Sequence, residues 1–332
     1  MSAKSIDVVT IGNAIVDILS HSTDEFVASQ GIVKGSMTLI DAYRAEQVYS
    51  AMGPAIEMSG GCAGNTAAGV ASLGGRAAFI GKVQDDQLGT VYRHDIRSTG
   101  VEFDVAPAST GPATGQCFIL MTPDAQRTMS TYLGVAGELE PSDIDEALIA
   151  RSTITYCEGY LWDVESAKDA MRLAMTTARA TGGRSSFTLS DSLCVERHRA
   201  DFLELAAGVV DILFANEAEL CSLYEVDDFE AAVARVQAAG CPLAFVTRGG
   251  AGSVVVTPDE RTVIAAHHVA HVVDTTGAGD LYAAGALYGL ATGRDLEASG
   301  KLGSLAAAEV ICHIGARPEV SLRDLAVANA LV

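Results

Sequence analysis

Short apolar runs rich in β-branched residues alternate with longer stretches of helical period along this chain, and that alternation leaves few folds open. The run Ile6–Ile11 (Ile-Asp-Val-Val-Thr-Ile) reads as a buried strand ending at Gly12. Further runs of the same kind are Ala77–Ile80, 153–157, 185–189, 211–214 and 243–247. Helical stretches lie between them at Gln87–Ser98, 166–181, 197–207, Glu217–Tyr224 and 229–239. Strand alternating with helix at this spacing means βαβ units, and so a parallel sheet covered by helices on both faces. Two segments, 14–39 and 106–133, break the rhythm with turn residues and short alternating runs such as Gly115–Met121. They read either as β excursions able to form a small lid or as ordinary surface loops. The last third is mostly helical, at 278–292, 296–313 and 321–330. No linker-like composition divides the chain. The expected organisation is one α/β domain, 1–332, with a lid formed by about 14–39 and 106–133.

Charge excludes one large class of function. With 22 basic against 42 acidic residues the formal charge is −20. Such a field repels a phosphate backbone, so a nucleic-acid-binding surface is not expected and any anionic ligand must be captured by local geometry. The seven cysteines stand singly with no Cys-x-x-Cys pair, which reads as buried reduced thiols in a cytoplasmic protein. The start carries no apolar segment before a cleavage site, and no run approaches the roughly 18 apolar residues of a spanning helix. No signal peptide and no membrane partner are expected.

The segment richest in chemistry is Asp274-Thr275-Thr276-Gly277-Ala278-Gly279-Asp280, followed by an apolar helix. Small residues opening a helix leave backbone N–H groups unpaired and pointing outward, an anion hole suited to a phosphoryl group. Gly277 and Gly279 allow close approach. Asp280 then places a carboxylate beside an anion site, which makes sense if it takes a proton from a hydroxyl attacking phosphorus. The plainer alternative is a first-turn acid favoured by the helix dipole. Ser59-Gly60-Gly61-Cys62-Ala63-Gly64-Asn65 precedes a second small-residue helix at 66–73, with Asn65 offering donor and acceptor. Asn13 and Asp17 follow the first strand, where ligands of open parallel sheets bind, and could grip vicinal hydroxyls or merely shape a turn. Asn216, Glu217 and Glu219 end another strand. They suggest oxygen ligation of Mg²⁺, often through water, or else an N-capped helix with acidic first-turn residues. Thr247-Arg248-Gly249-Gly250-Ala251-Gly252 is a strand followed by a glycine-rich turn on which a nucleotide could lie.

Competing signatures fail. Gly75 to Val83 has a five-residue gap where a P-loop needs four, and Val83 stands in place of Ser or Thr. No Gly-x-Gly-x-x-Gly dinucleotide turn and no Gly-x-Ser-x-Gly elbow occurs. His267, His268 and His271 invite a metal reading. They lie in a strand-like run, however, which would hold His267 and His271 roughly 13 Å apart and turn His268 to the other face.

Taken together these segments resemble the ribokinase-like (PfkB) family of carbohydrate and nucleoside kinases, over nearly the whole chain. The Gly-Gly-x-x-x-Asn of Gly60–Asn65 and the Asp-Thr-Thr-Gly-Ala-Gly-Asp of Asp274–Asp280 carry the resemblance, with Asn216-x-x-Glu219 and Thr247-x-Gly249-x-x-Gly252 completing it. Within the family the likeness is greatest to the adenosine-kinase subgroup, through Gly12-Asn13-x-x-x-Asp17, Arg127 in Gln-Arg-Thr-Met, 187–190 and 211–217. The resemblance implies a three-layer α/β sandwich, its mostly parallel central sheet flanked by helices, with a small β lid. It implies ATP-dependent phosphoryl transfer to a nucleoside 5′-hydroxyl, adenosine foremost, with a ribose-type sugar kinase or a guanosine/inosine kinase as the alternatives. By the same resemblance Asp280 is the general base and Gly277, Ala278 and Gly279 stabilise the transferring group. Asn13, Asp17, Gly60, Gly61 and Asn65 hold the ribose. Asn216 and Glu219 organise Mg²⁺ and its waters around ATP; Thr247, Gly249, Gly252, Gly315 and Ala316 border the nucleotide. Arg127 neutralises phosphate charge from the lid, and backbone oxygens of Asp274 and Thr276 could form a monovalent-cation (K⁺) site. Met37 stands where that subgroup places a glutamine near the base. Met37, Leu39, Cys117, Ile119 and Leu161 are the apolar side chains available to a base pocket, and they favour a nucleoside over a bare sugar. Monomer and homodimer are both open. A catalytically dead binding protein is the third reading, against which Asp280 and the intact glycines stand.

Overall fold

The structure, a computed structural model, describes residues 4–124 and 126–332. Among them an eight-stranded sheet runs in the spatial order β13 (Arg261–Ile264), β12 (Ser253–Val256), β11 (Ala244–Thr247), β10 (Ile212–Asn216), β9 (Arg184–Thr188), β8 (Ser152–Glu158), β1 (Ile6–Ile11), β5 (Ala77–Ile80). The six strands from β11 to β5 pair in parallel. Their residues are apolar on both faces because both faces are covered. Val9, Ile11, Leu213 and Val246 enter one core with Phe187, Trp162 and Phe202. Val8, Phe214, Phe245 and Val255 enter the other, under the Cys62–Ser72, Ala278–Ala291 and Leu296–Val310 helices. This is the three-layer α/β architecture expected.

The antiparallel hairpin β12–β13 extends the sheet beyond the strand at 243–247 where the sequence reading ends it. The strand-like run assigned to His267, His268 and His271 is a correction: 265–275 contains no strand, and all three imidazoles are exposed. There the Ala265 carbonyl and the His267 N–H are satisfied by Ser304 Oγ (3.2 and 2.8 Å) on a helix, not by a neighbouring strand. Of the cysteines, Cys117, Cys157, Cys194 and Cys241 are buried as expected, whereas Cys312 is exposed.

A second sheet has five strands in the order β3 (Met37–Leu39), β7 (Arg127–Tyr132), β6 (Gly115–Met121), β2 (Ile15–His21), β4 (Ala55–Ser59). The segments 14–39 and 106–133 supply four of these five strands; β4 lies outside those bounds. The first segment also holds a short helix, Asp24–Ser29, capped by the Thr23 hydroxyl on Phe26 N. β2 follows β1 after three residues, so the second sheet springs directly from the carboxyl end of the first. No helix among the described residues is long and apolar enough to cross a membrane.

Candidate active site

The site forms where strand ends of the large sheet meet the second sheet. β1 and β8 are paired neighbours, with Ile11 opposite Cys157, so Asn13 and Glu158 emerge side by side. Glu158 Oε1 accepts from Asn13 N (2.7 Å) and Asn13 Nδ2 (2.8 Å), and its Oε2 accepts from Ala63 N (2.9 Å). The carboxyl is 1% exposed, and burial pushes it up to about 7 although the three donors pull the other way. Glu158 ties the end of β1 to the start of the Cys62–Ser72 helix. It is a site residue the sequence reading missed. The available signal was a carboxylate directly after the run 153–157, the place Asn216 occupies after 211–214.

Gly60 and Gly61 fit this junction because no side chain would. Gly61 holds φ +82, and a Cβ on it would strike the Asn13 carbonyl. A Cβ on Gly60 would strike the Asp17 carboxylate. Asp17, half-buried on β2, is pushed up to about 7 by burial, opposed by the charges of Arg317 and Arg127. Asn65, in the first turn of the Cys62–Ser72 helix, donates from Nδ2 to Asp280 Oδ2 (2.9 Å) across 215 positions of sequence. Thr66 Oγ1 reaches the Asp280 carbonyl (3.2 Å). Burial raises the Asp280 carboxyl to about 6, with Asn65, Cys62 and Arg317 opposing. A carboxylate ionised near neutrality yet more basic than an ordinary aspartate suits proton transfer.

The turn before the Ala278–Ala291 helix has the uncapped start that its sequence suggests. Gly277 adopts φ +77 as the residue before the Ala278–Ala291 helix, which has no side-chain cap; Ala278 N turns back to the Thr275 carbonyl (3.2 Å), and the next amides of the first turn are left for another acceptor. Gly279 faces open space, whereas Ala316 packs against Gly277. Asp274 pins the turn, accepting from Thr276 N (3.1 Å), Thr276 Oγ1 (2.9 Å) and Gly315 N (3.2 Å). Arg127 reaches over from the second sheet: its Nη2 lies 2.5 Å from Asp274 Oδ2, an ion pair without hydrogen-bond alignment, each side chain under a tenth exposed. In this state the Arg127 guanidinium is spent on Asp274 above the glycine turn. A cavity of about 370 Å³ adjoins the pair, lined among others by Met129, Val272 and Thr276.

Two of the expected site assignments meet other contacts. Glu219 spends both carboxylate oxygens on Asn216, from N (2.9 Å) and Nδ2 (2.6 Å), while Asn216 Oδ1 accepts from Glu219 N (2.8 Å). The pair is a capping box on the Glu217–Tyr224 helix, each Glu219 oxygen accepting one hydrogen bond inside it, and burial pushes Glu219 up to about 7. No group of three or more His, Cys, Asp or Glu side chains gathers as a metal site among the described residues. Leu161 is the second. The turn Gly159–Asp163 puts it in the core with Trp162, 2% exposed.

The other apolar candidates do share one face. Across the second sheet Leu39, Thr131, Cys117 and Asp17 stand in one register row, and Met37, Met129, Ile119 and Leu19 in the next. Met129, which the sequence reading did not single out, joins the stripe, and Arg127 lies two residues further along the same face. A Cβ on Gly249 or Gly315 would meet open space. Gly252 is structural: at φ +86 it leaves no room for a Cβ against the Ile264 carbonyl. Thr247 closes β11 opposite Ser253.

Known proteins share this arrangement. The family model for pfkB family carbohydrate kinases matches residues 30–322. A fructokinase of Klebsiella pneumoniae is 30% identical over 72% of this chain and 79% of its own length. A 5-dehydro-2-deoxygluconokinase of Geobacillus kaustophilus is 28% identical over 76% and 78%. Among solved structures, an adenosine kinase from Sinorhizobium meliloti superposes with TM-score 0.92 at 54% identity, covering 98% of this chain and all of that one. A probable sugar kinase from Rhizobium etli gives 0.93 at 50% identity, covering 99% and 100%. With the two signature turns joined through Asn65 and Asp280 inside this fold, the chain belongs to the pfkB family of carbohydrate kinases, phosphotransferases that act on an alcohol acceptor.

Proposed function

We propose that this chain passes the γ-phosphoryl group of ATP to the 5′-hydroxyl of a nucleoside, adenosine foremost. One observation carries the choice of a nucleoside over a bare sugar. The face of the second sheet that bears Asp17 also bears Leu19, Met37, Leu39, Cys117, Ile119 and Met129, an apolar stripe among which Thr131 is the one polar residue, with Asp17 and Arg127 at its margins. A base buries well on such a stripe, whereas a free sugar would leave its hydroxyls there unpaired. The adenosine kinase at 54% identity supports the same reading. The sugar-kinase names among the relatives support a sugar acceptor, held by Asn13, Asp17 and Asn65 alone.

In this reading Asp17 and Asn13 hold the ribose hydroxyls against the Gly60–Gly61 turn. Asp280, oriented by Asn65, takes the proton of the attacking hydroxyl. The first-turn amides at Gly277, Ala278 and Gly279 receive the charge on the transferring group. The second sheet is the lid on an α/β body. Arg127, exchanging Asp274 for phosphate, adds a cation when the lid closes. Thr247, Gly249, Gly252, Gly315 and Ala316 border ATP. Mg²⁺ bound with ATP would supply countercharge to the phosphates, with Asn216 and Glu219, the capping box on the Glu217–Tyr224 helix, as the residues to order its waters, and the carbonyls of Asp274 and Thr276 would be the candidate place for K⁺.

A coupled ADP-release assay over nucleosides and sugars at equal concentration tests the reading, with the product identified as a 5′-monophosphate by mass spectrometry and phosphorus NMR. The highest kcat/KM should fall on adenosine. A higher value for ribose, fructose or another free sugar would overturn it.

A further inference from the structure

Arg317 belongs to none of the family motifs, yet it sits behind the diglycine turn. Its Nη2 donates to the Ser59 carbonyl (3.0 Å) and to Ser59 Oγ (3.1 Å). Nε and Nη1 are buried with no hydrogen-bond partner. Ser59 in turn donates from N (2.8 Å) and Oγ (2.5 Å) to Asp95 Oδ2. The link therefore runs from the C-terminal loop through the end of β4 to the Gln87–Ser98 helix. Gly64 lies beside it: a Cβ there would touch Arg317 Nη2 at 3.5 Å and would strike the Tyr92 hydroxyl at 2.8 Å. Burying a guanidinium is expensive unless its charge is answered. No carboxylate lies within ion-pair distance of this one among the described residues. The charges that answer it are Asp95, reached through Ser59, and, on the far side of the turn, Asp17 against Gly60 and Asp280 under Asn65.

We infer that Arg317 is a positioning residue that fixes the Ser59–Gly60–Gly61 turn and supplies the countercharge letting Asp17 and Asp280 be ionised together. The inference rests on reading Asp17 as the acceptor's grip and Asp280 as the base. Both must be carboxylates at once, the one to accept hydroxyl hydrogen bonds and the other to take a proton. Burial works against both, and so does each on the other. Asp280 is faced by Cys62 and Asn65 from the Cys62–Ser72 helix, by Asp17 from β2, by Tyr156 and Glu158 from β8, and by Arg317. Asp17 is faced by Arg127 from β7, Cys117 from β6, Asp280, Tyr92 from the Gln87–Ser98 helix, and Arg317. Of these cations, Arg127 acts on Asp17 and is itself paired with Asp274. Arg317 acts on both carboxylates.

The test is the pH dependence of kcat/KM between pH 5.5 and 9 for the best acceptor of the wild-type enzyme, in Arg317→Met, Arg317→Lys and Asp280→Asn. With the countercharge gone the acid limb should move up by about one pH unit. The ratio of Arg317→Met to wild type would then fall on the order of tenfold between pH 9 and pH 6. Arg317→Lys should recover most of that change. A purely structural role lowers kcat/KM by one factor at every pH, and that result would overturn the inference. Should Arg317→Met not fold, Ser59→Ala removes the guanidinium's hydroxyl anchor and should move the limb the same way by less; an unmoved limb there overturns it equally. Turnover retained by Asp280→Asn would instead remove the base reading on which this stands.

Discussion

Glu158 offers the sharpest test of the packed site, because its environment makes one charge-dependent number. The carboxyl is 1% exposed and its proton leaves at about 7 where an ordinary glutamate loses it near 4.5. A carboxyl whose value is raised by folding binds its proton more tightly in the folded chain than in the unfolded one. The stability this lends is complete below 4.5 and is lost as the pH climbs through about 7. At about 1.4 kcal/mol per tenfold change, the loss from this group between pH 5 and pH 8 is about 2.5 kcal/mol. Glu158→Gln keeps the shape and does not titrate. The fall in its stability from pH 5 to pH 8 should therefore be smaller than the wild type's by about 2.5 kcal/mol, whatever the substitution costs at any one pH. Trp162, the single tryptophan, is fully buried shortly after Glu158 and reports unfolding by fluorescence. Urea titrations at pH 5, 6, 7 and 8 and constant ionic strength give the two curves. Parallel curves would refute the claim that this carboxyl is buried and held by Asn13 and Ala63.

Three further outcomes bear on the chemistry. Asp280→Asn should lower kcat on the order of 10²–10⁴-fold with ATP binding largely kept, measured by turnover and calorimetry; near-wild-type turnover would show that another group takes the proton. Asp17→Ala should raise the acceptor KM on the order of tenfold or more, whereas a lowered melting temperature with the KM unmoved would reduce Asp17 to a structural partner of the diglycine turn. Arg127→Ala should lower kcat more than it weakens ATP binding. In the wild type, adenosine but not ATP alone should protect the amides of 113–133 from hydrogen exchange, and equal protection by ATP alone would make this segment a static nucleotide site.

The strands of the large sheet were legible because a strand covered on both faces must be an apolar run, and such runs declare themselves. The turn Asp274–Asp280 was legible for a related reason: an uncapped helix start with left-handed Gly277 is a local backbone demand that only certain residues meet. Elements whose partners lie elsewhere were not. β4, the β12–β13 hairpin and the Asp24–Ser29 helix are too short to show a period, and His267 to His271 looked like a strand until Ser304 supplied the partners a strand would have offered. In the site the sequence named Asn65 and Asp280 but could not join them. It also left Asn216 and Glu219 open between ligand and cap, and only their mutual hydrogen bonds show that the cap is made. Leu161 lies in the core and Met129, not singled out from the sequence, joins the stripe, because a sequence pattern gives a face but not which layer that face meets. Glu158 and Arg317 carry no motif at all. Their partners are 145 and 258 positions away, and what a buried charge does is set by the groups that surround it in space.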